Sequence, residues 1–141
     1  MALKSDPIVD LLELHDTRVV YEFDRTRENM PDQYWAACGD QGVELLFDER
    51  QSLCSIFLHV HPNECFARVD LSGSDIRSFA SLDEIAAYSI DRSVPTSRGS
   101  AELLGTRRDW IRLEYAGHWE HYEFRAGELS LITLTVVERP Q

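Results

Sequence analysis

Alternating apolar and polar positions run through most of this chain and predict antiparallel strands, with two stretches at helical spacing. Asp6-Pro7 resembles a helix start, and the apolar positions after it predict an amphipathic helix over residues 6–15. Ser81 and Glu84 have capping-box spacing and predict a second helix from about Leu82 to Ile90. The predicted strands are 19–23, 34–38, 43–47, 53–60, 110–115, 119–124 and 129–137.

The strand pattern occurs twice, at an offset of 76 residues. Matching pairs at this offset are Tyr34/Trp110, Trp35/Ile111, Leu53/Leu129, Ile56/Ile132 and Leu58/Leu134. Phe47 and Phe124 differ by 77, a slip assigned to a turn, where insertions are tolerated. Residues 91–100 are predicted as a mobile loop and 101–105 as one helical turn.

This order predicts an α+β fold built as a pseudo-repeat. Each half is a helix-plus-antiparallel-meander unit, at about 6–60 and 81–137, and the helices pack on one sheet face. At 141 residues and 43% hydrophobic content, the chain is long enough for a single domain with a sizeable core.

Alternation also assigns the sheet faces of the second meander. The core side is expected to carry Ile111, Leu113, Tyr115, Tyr122 and Phe124, and in the last strand Ile132, Leu134 and Val136 oppose Leu129, Leu131 and Thr133. The outer side then carries Trp110, Arg112, Glu114, Trp119, His121 and Glu123. If nothing covers it, Trp110, Trp119 and Leu131 resemble the core of a protein interface, because tryptophan is enriched at binding hot spots. The alternative is a sheet covered on both faces, with these aromatics in the core.

The charge of the chain narrows the choice of partner. With 14 basic and 25 acidic residues, the formal net charge is −11. A field of that sign repels phosphate backbones and anionic lipid and speeds docking to a basic protein surface. We therefore expect no nucleic-acid or membrane partner, although acidic charge that only maintains solubility is an equal alternative. The lack of an apolar run long enough for a signal peptide or membrane span favours a cytoplasmic protein.

Candidate catalytic and metal-ligating residues form no complete set. His59 and His61 share a strand face with Glu64 nearby, but no fourth ligand is indicated. His118 and His121 are expected on opposite faces, and no nucleophile motif or phosphate-binding loop is present. We expect no enzyme activity, metal or cofactor; a pocket joining His59, His61 or His121 to a carboxylate would indicate an enzyme instead.

The three cysteines, Cys38, Cys54 and Cys65, are odd in number and form no C-x-x-C motif. Their apolar surroundings predict free, buried and unreactive thiols, as is usual in a reducing compartment.

A family resemblance rests on the strand and turn residues of both meanders. Residues 42–49, 53–58, 109–115 and 122–134 resemble immunity proteins of bacterial polymorphic toxins, which neutralise a toxin delivered by contact-dependent or type VI secretion. The likeness covers about two-thirds of the chain. The chain also resembles lipoprotein modules of the outer-membrane assembly type, although from this sequence we do not expect the signal peptide and lipobox cysteine of such modules. Neither resemblance identifies binding residues.

These observations favour a cytoplasmic immunity protein that binds a cognate toxin and blocks its active site or substrate path. If the toxin is a nuclease, its basic groove would meet the acidic residues Asp40, Glu44, Asp48 and Glu49. The predicted partner-binding residues are these four with Trp110, Glu114, Trp119, His121, Glu123 and Leu131. The alternative is a structural or regulatory interaction module that forms a homodimer through an edge strand or the outer sheet face.

Overall fold

The computed structural model describes residues 18–22 and 32–137, and in these residues the strands form one antiparallel sheet. Across the sheet the strands follow the order β1-β2-β3-β4-β8-β7-β6-β5, so each meander is contiguous and the two halves join through β4 and β8. The elements are, in chain order, β1 (Arg18–Glu22), β2 (Gln33–Cys38), β3 (Val43–Phe47), β4 (Leu53–His59), α1 (Leu82–Arg92), β5 (Thr96–Leu103), β6 (Thr106–Glu114), β7 (His118–Arg125) and β8 (Glu128–Val136).

The predicted α+β fold of two helix-plus-meander units is wrong. The described residues hold a single α-helix, α1, and the two meanders are halves of one eight-stranded sheet. The predicted helix over residues 6–15 lies outside the described residues. Where a loop over 91–100 and a helical turn over 101–105 were predicted, the structure has the end of α1 and strand β5. Strand β5 returns to β6 through a tight turn at Leu104 and Gly105, both with positive φ.

The 76-residue offset reappears in the pairing of the two central strands. Phe57 lies opposite Thr133, which is 76 residues later in the chain. Adding 76 to Ile56 and Leu58 gives Ile132 and Leu134, so the flanking pairs Ile56–Leu134 and Leu58–Ile132 are equivalent to each other. A pseudo-twofold axis therefore passes between Phe57 and Thr133, perpendicular to the sheet.

Away from this axis, the offset between equivalent residues of the two halves differs by one from 76. The ladder registers give an offset of 75 between β2 and β6 and of 77 between β3 and β7. Trp35, rather than Tyr34, is thus the structural counterpart of Trp110. Phe47 and Phe124 occupy the same position, each directly after a register shift in its strand.

The main core lies on one face of the sheet, here called the inner face, against helix α1. Its buried residues are Leu58, Phe79, Ile85, Ile111, Leu113, Tyr122, Phe124 and Ile132. Tyr122 is fully buried, and its hydroxyl donates a hydrogen bond to Glu120 Oε2 at 3.1 Å, so its polar end is satisfied. Burying each of these apolar side chains contributes about 1.5–3 kcal/mol, which makes this face the main source of stability.

The inward and outward assignments from alternation are confirmed for β6 and β7. Ile111 and Leu113 are buried, whereas Trp110 and Arg112 are only partly buried. The assignment of Leu129 is wrong: the register shift between Glu123 and Phe124 places Leu129 opposite Phe124, and it packs on the inner core.

Helix α1 begins at the predicted capping box. Ser81 Oγ accepts a hydrogen bond from the Glu84 backbone N–H at 3.2 Å, and the Glu84 carboxylate accepts one from the Ala80 N–H at 2.8 Å. Both bonds satisfy backbone donors that the helix start would otherwise leave unpaired. Ile85, in the first turn, is fully buried and holds the helix against the sheet.

The connection from β4 to α1 is anchored on the β2–β3 turn. The Ala67 N–H donates to the Gly39 carbonyl at 2.7 Å, and the Val69 N–H donates to the His59 carbonyl at 2.8 Å. Gly42 has φ +68°, and a Cβ added there would lie only 2.2 Å from the Ala67 carbonyl oxygen. Residues 39–42 form the turn between β2 and β3, and Gly42 at its end lets the connection approach closely.

The three cysteines are not joined in disulfides, but their burial differs from the prediction. Cys38 is buried, Cys54 is half-buried and Cys65 is exposed, so the expectation of three buried thiols is wrong for Cys65. Burial, together with the nearby Asp48 carboxylate, raises the pKa of the Cys54 thiol.

Candidate functional site

The face of the sheet opposite α1, here called the outer face, carries an aromatic and charged surface. Of the described residues on this face only Ser55 is buried; the others are half-buried or exposed. The cross-strand registers place Trp35, Glu44, Phe57, His59, Arg108, Trp110, Arg112, Glu114, Trp119, His121, Glu123, Leu131, Thr133 and Thr135 there.

Seven of the ten predicted partner-binding residues lie on this face. They are Glu44, Trp110, Glu114, Trp119, His121, Glu123 and Leu131. The other three are in turns: Asp40 precedes β3, whereas Asp48 and Glu49 follow it. A strand of five residues spans about 17 Å, so the four predicted acidic residues do not form one patch.

Four side chains on β6 and β7 form one stacked row. The rings of Trp110 and His121 stack with centroids 5.0 Å apart, and the Arg112 guanidinium lies 3.9 Å from the centroid of the Trp119 ring. His121 is directly opposite Arg112 in the ladder, so the two contacts are continuous. We call Trp110, His121, Arg112 and Trp119 the aromatic row.

The backbone beside the aromatic row leaves room for it. Gly99 lies opposite Trp110, and a Cβ added to Gly99 would be 2.9 Å from two indole carbons. The indole therefore lies across the backbone of β5. Any side chain at this position would displace it.

A second aromatic pair lies on the other side of the pseudo-twofold axis. Trp35 and Phe57 have centroids 5.5 Å apart at an interplanar angle of 32°. The strip between this pair and the aromatic row carries small polar side chains, with a hydrogen bond of 3.2 Å between the Ser55 and Thr135 hydroxyls. The centre of the outer face thus carries the hydroxyl side chains of Ser55, Thr133 and Thr135 together with Leu131, and aromatic groups lie on either side.

Charged groups of the outer face are paired within the chain. Glu114 accepts hydrogen bonds from the Ser97 hydroxyl and from Arg112 Nη2, the latter at 3.2 Å. These two bonds hold the pKa of Glu114 below its usual range. Arg108 lies 3.7 Å from Glu123. The acidic side chains on this face are therefore largely neutralised by their neighbours.

Burial lowers the pKa of His121 below the usual value of 6.5, with a smaller contribution from the Arg112 cation, while Glu123 opposes the shift. The imidazole is therefore neutral near pH 7, so it stacks on Trp110 without adding a second positive charge beside Arg112.

The two histidines of the predicted pair line one cleft but differ in their contacts. His59 Nε2 lies 3.1 Å from Glu44 Oε2, and its ring stacks on Phe66 with centroids 4.0 Å apart, whereas His61 is exposed. No group of three or more potential metal ligands occurs in the described part of the chain. An enzyme was expected to have a pocket that joins one of these histidines to a carboxylate, and the His59–Glu44 contact supplies the histidine and the carboxylate. The cleft beside it, however, has a volume of about 120 Å³, well below the 300–1,000 Å³ of usual ligand sites.

A larger cleft, of about 420 Å³, lies between the end of α1 and β6. It is lined by Tyr88, Arg92, Ser93, Val94, Pro95, Glu114, Tyr115 and Ala116. Burial and nearby groups, chiefly Glu120 and Tyr88, raise the pKa of Tyr115 to about 12, so its hydroxyl stays protonated.

Sequence reasoning missed two outer-face residues, Trp35 and Phe57. It placed Arg112 on this face but did not predict its contact with Trp119. A repeat alignment allowing a slip of one residue in β2 would have matched Trp35 with Trp110. Phe57 lies between the inner-face residues Ile56 and Leu58, so alternation alone places it outside.

Within the described residues no helix is long and apolar enough to cross a membrane. Comparison of the chain with protein-family models, with curated proteins and with solved structures gave no match. The outer face therefore has to be interpreted from its own geometry.

Proposed function

We propose that this protein is an immunity protein that binds and neutralises a cognate secreted toxin, with the outer face of the sheet as its docking surface. The observation that carries the proposal is the aromatic row, an arginine and two tryptophans held in place by stacking. Tryptophan and arginine dominate binding hot spots. Side chains already ordered before binding lose little conformational entropy when a partner arrives.

Two buried hydrogen-bond donors support the same surface. The Trp35 indole N–H and the Arg108 Nε–H are buried and have no hydrogen-bond partner among the described residues, and both side chains lie on the outer face. Leaving a buried donor unsatisfied costs about 1–3 kcal/mol. Because both donor atoms are shielded from solvent, a partner can pair with them only if the Trp35 or Arg108 side chain turns outward on binding, and that rearrangement would recover the energy.

Acidic residues in the turns contribute mainly to the rate of association in this proposal. Asp40 and Glu49 are exposed, and the chain has a net charge of −11. Such a field steers a basic partner toward the protein and weakens as ionic strength rises. The paired acids of the outer face contribute to orientation instead.

The test is co-expression with the product of the neighbouring gene. We expect that product to arrest growth alone, and to be neutralised by this protein through a complex that co-purifies. A neighbouring product that neither harms the host nor binds would refute the immunity function.

Two substitutions then locate the docking surface. Trp119→Ala is expected to weaken binding at least about 30-fold, which is the 2 kcal/mol that defines a hot spot. Ile90→Ala is the control, because Ile90 is an apolar residue on α1 that is 80% exposed. Binding is measured by calorimetry after circular dichroism has shown that both variants are folded. Equal affinity of the two variants would move the docking surface away from the outer face.

A further inference from the structure

Strand β5 is an open edge of the sheet among the residues that the structure describes. It pairs with β6 over eight residues without a register shift, and it is the last strand in the sheet order. Alternate residues of an edge strand direct their N–H and C=O groups away from the sheet. Proteins usually block such edges with proline, a bulge, a very short strand or charged side chains. Between Thr96 and Leu103, strand β5 has no proline or bulge, and its charged residues are Arg98 and Glu102.

Charges on this edge are arranged to complement a second copy of the same strand. Arg98 and Glu102 are both exposed, lie on the same sheet face and stand two residues on either side of Ser100. If two β5 strands pair antiparallel about Ser100, Arg98 of each copy lies opposite Glu102 of the other. Opposite charges at directly paired positions stabilise a sheet.

Other registers that keep the two inner faces on the same side are less favourable. Centring the pair on Arg98 or on Glu102 places like charges opposite one another, and centring it on Gly99 or Ala101 leaves both charges unmatched. The register about Ser100 also places the partly exposed Leu103, at 53%, beside the partner's Ser97. Charge pairing therefore selects the register about Ser100.

From this self-complementarity we infer that the protein forms a homodimer through antiparallel pairing of β5 with β5, centred on Ser100. The two sheets join into one of sixteen strands. The twofold axis is perpendicular to the sheet, so both outer faces lie on the same side. The inference is independent of the toxin, because the aromatic row is not part of the pairing edge.

Charge reversal tests the pairing without disturbing the core. We expect the wild-type protein to sediment as a dimer at micromolar concentration. Glu102→Arg places two pairs of like charges across the edge and is expected to weaken dimerisation at least about tenfold. Arg98→Glu should do the same, and the double variant R98E/E102R should restore dimerisation. A mixture of the two single variants should form the heterodimer, since all its facing charges are then opposite.

A disulfide tests the register. In a Cys65→Ser background, which removes the exposed native thiol, Ser100→Cys should form an intermolecular disulfide on mild oxidation, because the two Ser100 residues face each other. Ala101→Cys is the matched control: in this register its two copies are about 8 Å apart, beyond the roughly 7 Å limit for a disulfide.

A monomeric wild-type protein would overturn the inference, and so would a dimer insensitive to both charge reversals. Equal cross-linking of the two cysteine variants would overturn the register about Ser100. Toxin neutralisation by Glu102→Arg is expected to persist, so failure of the dimer and failure of the immunity function remain distinguishable.

Discussion

Replacing Gly42 by alanine tests how the long connection between β4 and α1 is held. Gly42 has φ +68°, and an added Cβ would lie 2.2 Å from the Ala67 carbonyl oxygen and 2.7 Å from the Val69 nitrogen. Both contacts are with backbone, so no side-chain rotation relieves them. The connection, or the β2–β3 turn, has to move by about 1 Å to restore ordinary contact distances.

The expected destabilisation has three parts. Left-handed backbone costs a non-glycine residue about 1–2 kcal/mol, partly offset by the lower entropy of the unfolded chain. Moving the connection weakens two hydrogen bonds, from Ala67 N–H to Gly39 and from Val69 N–H to His59, each contributing about 0.5–1.5 kcal/mol. With the cost of overpacking, about 1–3 kcal/mol, we expect the free energy of unfolding to fall by about 3–5 kcal/mol.

Gly73→Ala is the matched control, because Gly73 has φ +79° but no atom within 4 Å of an added Cβ. It should show only the backbone cost, about 1 kcal/mol. Urea unfolding followed by tryptophan fluorescence gives both values. If the two variants lose the same stability, the close contact of Gly42 with the connection does not contribute, and the reasoning is refuted.

Two further predictions concern the helix start and the outer face. Ser81→Ala should lower the free energy of unfolding by about 1 kcal/mol through loss of the N-cap. The control Ser78→Ala, at an exposed position before the helix, should leave it unchanged. An equal loss of stability by the two variants in thermal melts would contradict the capping role. Because the pKa of His121 is lowered in the folded protein, the unfolded chain takes up a proton at a higher pH than the folded protein does. The free energy of unfolding is therefore unaffected by this group above pH 6.5 and falls as the pH drops below that value. His121→Gln should reduce this loss between pH 7.5 and 5.5 in urea titrations; an unchanged pH dependence would show that His121 does not contribute.

Local sequence patterns predicted most of the strands and the faces of the central ones. Alternation placed Ile111 and Leu113 on the inner face and Trp110 and Trp119 on the outer face. It succeeded because the two faces of the sheet differ from each other in polarity. The capping box at Ser81 was equally reliable, since its hydrogen bonds join residues three or four apart.

Strand β5 was missed because its own residues do not favour a strand. Thr96–Leu103 is mostly polar, contains Gly99 and is largely exposed at the edge of the sheet, so it lacks the apolar alternation of a strand that covers a core. Its conformation depends on pairing with β6. The wrong helical turn at residues 101–105 has the same cause, because the glycine that resembled a helix end belongs to the β5–β6 hairpin.

The sequence by itself determined the strand segments, the two faces of each central strand and the existence of a repeated pattern, because these depend on side-chain periodicity along the chain. The tertiary structure decided that the halves share one sheet through β4 and β8 and that Trp35 corresponds to Trp110. It also decided which charges are neutralised on the outer face, where Arg112 meets Glu114 and Trp119. Those outcomes depend on cross-strand registers between residues up to about 80 positions apart, and a register is set by how the strands pair rather than by any one strand.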